Sequence, residues 1–169
     1  MTDRTVLEVQ IGRPLRADSE VVARCPLTLP VVARVPPVLD DGTPFPTRYW
    51  LTCPLAVRRI GRLESIGGVR QMERRAQSDP VFAASLHEAH RRYAEERDAH
   101  VAAGSGPRPS GGVAGSTAGV KCLHAHYADH AAGNENPVGA AVAPWIEPLD
   151  CTVPCVAGGV ANPDWVEPK

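Results

Sequence analysis

The sequence predicts an α+β fold, a small antiparallel sheet near the N-terminus packed by about four helices. Three observations carry that expectation. Residues from Val21 to Thr52 are rich in valine and repeatedly broken by proline, the composition of short strands. From Pro54 onward the apolar residues recur at helical spacing instead. Glycine and proline, 15 and 17 of 169 residues, imply many turns and a modest core. The length suits one domain, placed at residues 1–146, with 147–169 as an irregular C-terminal tail.

The strands come first. "EVVARCP", "LPVVARVPPVL" and "TRYWLTCP" supply two or three of them. The connector "DDGTPFPT", Asp40 to Thr47, joins Asp-Gly to two prolines, which is strong turn chemistry in a loop too long for a two-residue hairpin. It is read as a connection that could also serve as a recognition loop. Helices follow. Pro54 suits a first helical position after a cap at Thr52 or Cys53, and Leu55, Ile60, Leu63 and Ile66 form a stripe that Gly67-Gly68 interrupts. Val69 to Gln77 resumes as a short helix with Met72 and Ala76 inward.

"SDPVFAASLHEAHRRYAEERDAHVAAG" gives the clearest helix: Ser78 or Asp79 caps, Pro80 begins, and Phe82, Leu86, Ala89 and Tyr93 share one face. Glu88 with Arg92 and Arg91 with Glu95 are spaced for ion pairs on the wet side. His87, His90 and His100 are read as solvated. Gly104 to Gly119, "GSGPRPSGGVAGSTAG", has almost no apolar bulk to bury and is expected to be a mobile loop. Val120 to Ala132 then forms a helix ended by Gly133-Asn134, and "NPVGAAVAPWI" a second one beginning near Pro137.

A net charge of −1 disfavours nucleic acid, since a phosphate-binding domain normally carries a clear basic excess. No window resembles a secretory signal or a membrane span, so a cytoplasmic protein without membrane insertion is expected. In a reducing compartment five cysteines are metal ligands, reactive thiols or small buried groups before they are disulfides.

Zinc takes four ligands, mainly thiolate and imidazole. Cys25 and Cys53 end strand-like strings, and Cys122 opens a helix, so the three could converge at one sheet edge. For the fourth ligand, His126 shares a helical face with Cys122, whereas His124 points roughly 200° away at about 100° per residue. That favours His126 if Cys122 lies inside the helix. If Cys122 precedes the first turn, an extended Cys-x-His step brings His124 to the same metal. "CTVPC", Cys151 to Cys155, could add two ligands to this site or to another.

"RCP", "DGTPFPT", "YWLTCP", "RLE", "GVKCLHAH" and "NPVG" occur in this order, and with them the chain resembles the actinobacterial family known as domain of unknown function 501. The resemblance runs from about Gly12 to Gly139. It implies no established activity, but it places Cys25, Cys53, Cys122 and His124 inside the family's signature strings and leaves Cys151 and Cys155 outside. Relatives often lie near genes for enolase, a septum-formation protein and an exopolyphosphatase, an association that does not define mechanism.

Two functions compete at this stage. In the first, a structural zinc site staples a protein-interaction module whose partner is a protein, with a component of the division machinery as one candidate. In the second, the chain is an enzyme: a zinc-dependent hydrolase with His124 or His130 as base and Glu64 as acid, or a thiol enzyme with Cys122 as nucleophile and His126 as base. No HExxH, GxSxG or phosphate loop supports a specific catalytic set. An iron–sulfur cluster is the less favoured alternative to zinc, because the cysteines are scattered and histidines stand near them.

Overall fold

The computed structural model describes residues 1–104 and 106–168. It is an α+β fold with its sheet near the N-terminus. In chain order the elements are α1 (Asp3–Ile11), β1 (Glu20–Arg24), β2 (Pro30–Arg34), β3 (Tyr49–Leu51), α2 (Pro54–Ser65), α3 (Gly68–Ser78), α4 (Pro80–Asp98), a 3-10 turn (Val113–Gly115), α5 (Leu123–Ala131), α6 (Pro137–Ile146), β4 (Val156–Ala157) and β5 (Val160–Ala161). The first three strands form one antiparallel sheet with β2 in the centre, and β4 pairs with β5 in a separate ribbon. Pro30 to Ala33 are all buried, because the central strand is covered on both faces.

Helix α1 has no counterpart in the sequence reading. Thr2 caps it by accepting from the Thr5 N–H, and Val6 and Leu7 are its buried residues. Two buried side chains in nine residues leave too short a stripe for periodicity to detect.

Helices α2 and α4 follow their sequence signals. Cys53 is the N-cap of α2 with Pro54 at the first helical position. Leu55 and Ile60 are buried, but Ile66 at the end of the stripe is 83% exposed. Asp79 caps α4, its Oδ1 accepting from the N–H groups of Val81 and Phe82 at 3.1 and 3.0 Å. Phe82, Leu86, Ala89 and Tyr93 all enter the core. The Tyr93 hydroxyl accepts from the backbone N–H of Arg48 and of Tyr49, tying α4 to the start of β3.

Two expectations on α4 are corrected, those for His90 and for the Glu88–Arg92 pair. His90 is 5% exposed rather than solvated, while His87 and His100 are exposed. Arg91 pairs with both Glu88 and Glu95, and Arg92 leaves Glu88 to reach the buried carboxylate of Asp129 at 2.5 Å. Arg97 is 1% exposed and donates to the Gly111 carbonyl at 2.7 Å.

His90 and Arg97 explain the Gly-rich segment. His90 Nδ1 accepts from the Val113 N–H at 3.0 Å, and its Nε2 donates to the Gly119 carbonyl at 3.1 Å. Val113 is fully buried. A Cβ on Gly112 would lie 2.6 Å from the His90 Cβ, so glycine is required there for close approach. Burial in this segment is therefore greater than its composition implies. Ser105 of the expected loop and Lys169 of the expected tail lie outside the described residues.

Gly139 has a similar role between α5 and α6, where a Cβ would strike the His126 carbonyl and the His130 side chain. The tail beyond α6 is irregular apart from β4 and β5, yet it is held: Arg59 of α2 donates to the carbonyls of Ile146 and Pro148, both at 2.7 Å.

Candidate metal centre

The chain reaches α5 through Lys121, whose φ of 61° lies in the left-handed region. Cys122 follows with φ −150° and ψ 119°, extended, as the N-cap of α5. Its side chain makes no capping bond. Cys122 therefore stands outside the helix, the condition under which the Cys-x-His step selects His124.

Glu64 takes over the capping role from the last turn of α2. Its Oε1 accepts from the Leu123 N–H at 2.7 Å, placing a carboxylate where the helix leaves N–H groups unpaired and favours negative charge. The same oxygen lies 3.3 Å from His124 Nδ1. The other ring nitrogen, Nε2, is 3.1 Å from the Val57 carbonyl, to which it donates. One oxygen, one sulfur and one nitrogen, from Glu64, Cys122 and His124, thus lie within 4.8 Å of one another, and all three residues are half-buried. Among the described residues this is the group of three or more such donors that meets that spacing.

The donor set fits a metal ion. A histidine ligand commonly donates its second N–H to a carbonyl or carboxylate, which fixes ring and tautomer. Val57 does this for His124 and leaves Nδ1 facing Glu64. Burial opposes the imidazolium, but the Cys122 side chain, the Glu64 charge and the Val57 carbonyl outweigh it and raise the His124 pKa to about 9. A groove of about 410 Å³, walled in part by Phe45, Trp50 and Val57, opens beside Cys122 and His124.

The other sequence candidates lie elsewhere. His126 is fully buried, with Nδ1 3.0 Å from Asn136 Oδ1 and Nε2 3.1 Å from the Val120 carbonyl. Burial lowers its pKa to about 4. It is not a member of the cluster, because the four-residue spacing argument holds only if Cys122 is helical. Cys25 and Cys53 also stay apart from Cys122. They line a different cleft together with Cys151 and Cys155. Cys53 is buried, which pushes its thiol pKa up to about 11 against the backbone N–H groups of Ala56 and Leu55. The sequence reading gave Glu64 a place in acid catalysis and did not group it with Cys122 and His124 as a donor; its place in "RLE" was the available signal.

Fold and site together define a small α+β domain with a carboxylate–thiol–imidazole cluster at the junction of two helices. No curated protein and no solved structure matches the chain. Its sequence does match a family profile over residues 21–144, and the protein belongs to that family, described as protein of unknown function, DUF501. The matched span contains the whole cluster and ends before Cys151.

Proposed function

We propose that Glu64, Cys122 and His124 hold a zinc ion with one coordination position left open, and that the protein is a zinc-dependent hydrolase. The observation that carries this reading is the convergence of three different donor atoms within 4.8 Å at the edge of a groove. Structural zinc sites are closed by four protein ligands, whereas catalytic ones use three. Zinc bound in this way supplies Lewis acidity and brings the pKa of its water to about 7. The protein groups do the positioning. Val57 orients His124, the Leu123 N–H orients Glu64, and the Phe45–Trp50 pair, with ring centroids 5.3 Å apart, offers an apolar wall for a substrate group.

The second reading, a zinc-stapled interaction module with a protein partner, draws on the same wall. Phe45 comes from the "DGTPFPT" loop, and Arg13 lies over the Trp50 ring at 5.0 Å, which adds a cation to an aromatic surface. A division-machinery component remains one candidate partner on genomic association alone.

Zinc analysis of the purified protein beside Glu64→Gln, Cys122→Ser and His124→Asn tests the site. Glu64→Gln keeps an oxygen acceptor for Leu123 and removes the carboxylate, so the fold should persist while zinc is lost. Unchanged zinc content in all three variants would refute the centre. Ester and amide hydrolysis abolished by a chelator and by Cys122→Ser supports the enzyme. Zinc-dependent folding without turnover supports the module.

A further inference from the structure

Four of the five cysteines meet at a place the Glu64–Cys122–His124 centre does not use. Cys25 follows β1, Cys53 caps α2, and Cys151 and Cys155 belong to the tail. All four are free thiols and line one narrow cleft, with Leu29, Leu55 and Trp165 among its walls. We propose that this cleft is a second metal site, a four-cysteine zinc centre that fastens the tail to the sheet and to α2.

The donor chemistry selects the ligand class. Among the described residues no carboxylate and no imidazole lines the cleft, so the set is all sulfur, and four sulfurs suit tetrahedral zinc or an iron–sulfur cluster. Zinc is the assignment because the room open to a water-sized body in the cleft is only about 10 Å³, that of one small ion, whereas a cluster brings several irons and sulfides.

N–H groups are also directed at the sulfurs. Trp165 Nε1 lies 3.5 Å from Cys151 Sγ, and Gln10 Nε2 lies 3.6 Å from Cys155 Sγ. Such donors do little for a neutral thiol, which is a weak acceptor, and much for a metal-bound thiolate. They come from α1 and the tail, two of the segments that the metal would join.

No three of these four sulfurs lie mutually within 4.8 Å. The metal closes the cage by rotating the cysteines about χ1, which has three staggered wells. Each thiol gives up its proton to solvent as it binds, so neither an oxidant nor a reductant is needed.

The test is zinc stoichiometry of the full chain purified under reducing conditions. Two zincs per chain are expected, falling to one in Cys151→Ser or Cys155→Ser, to one in Cys122→Ser, and to none when Cys122→Ser and Cys155→Ser are combined. If the Glu64 centre fails and this one stands, the wild type holds one zinc that survives Cys122→Ser and is lost in Cys155→Ser. Cobalt in place of zinc in Cys122→Ser should give the intense absorption of a thiolate-rich site, and a chelator should open the tail to protease. Wild-type zinc content in both tail variants would overturn the proposal. So would a disulfide among these cysteines in protein handled without reductant, or iron and inorganic sulfide in place of zinc.

Discussion

Cys122 stands one residue ahead of α5 rather than within it, and that position brings it together with His124 rather than His126. The cause is Lys121, held in the left-handed region, which keeps the chain extended for one more residue. Nothing about lysine announces this conformation, so the sequence could narrow the ligand to two histidines and not choose between them. Glu64 was harder still: it lies 58 positions before Cys122 and is aimed at the site by its bond to Leu123. The protonation state of His124 gives a measurable consequence. With its pKa near 9, the ring carries a proton at neutral pH that zinc must displace from Nδ1. The apparent zinc affinity of this centre should therefore fall by about tenfold for each pH unit below pH 9 from that group alone. Competition with a chromophoric chelator between pH 6 and 8 measures it, and a pH-independent affinity would be inconsistent with His124 as ligand.

Among the elements, those with both a cap and a long stripe were legible and those held by remote side chains were not. α4 has Asp79, Pro80 and four core positions on one face. The segment 106–119 has none of these; its contacts come from His90 and Arg97, which reach it from α4. Its glycines look like flexibility in sequence, but Gly112 is there because His90 leaves no room for a Cβ. His90 also gives the segment a pH dependence. Its Nδ1 accepts from Val113 and its Nε2 donates to Gly119, a pattern that only the neutral ring satisfies. Burial is the main cause of its lowered pKa. The unfolded chain then binds more protons at this position, so the contribution of His90 is complete above about pH 6.5 and is lost as pH falls through the folded pKa. Urea midpoints should fall between pH 7 and pH 5, and fall less in His90→Gln. An equal drop in the variant would remove His90 from the account.

On the scale of the whole molecule, the sequence singled out the candidate donors and could not group them. Cys25, Cys53 and Cys122 were read as one set, whereas the fold places the first two with Cys151 and Cys155. The grouping depends on how the tail returns across α2, a long-range packing that no local spacing encodes. Arg59 is central to that return, with its side chain 15% exposed and two carbonyls of the α6–tail junction as acceptors. Arg59→Ala should destabilise the protein by about 1–3 kcal/mol, because charged hydrogen bonds are lost, one of them to the carbonyl of buried Ile146. Urea unfolding checks the magnitude; a change within about 0.5 kcal/mol would mean the tail is held by other contacts.

The central claim is the coordination of one zinc by Glu64, Cys122 and His124, and anomalous diffraction at the zinc edge from crystals grown with zinc tests it most directly. A peak is expected among those three side chains, with zinc about 2.3 Å from the sulfur and about 2.0–2.1 Å from the His124 nitrogen. Density showing His124 in direct hydrogen bond with Glu64 and no peak between them would contradict it.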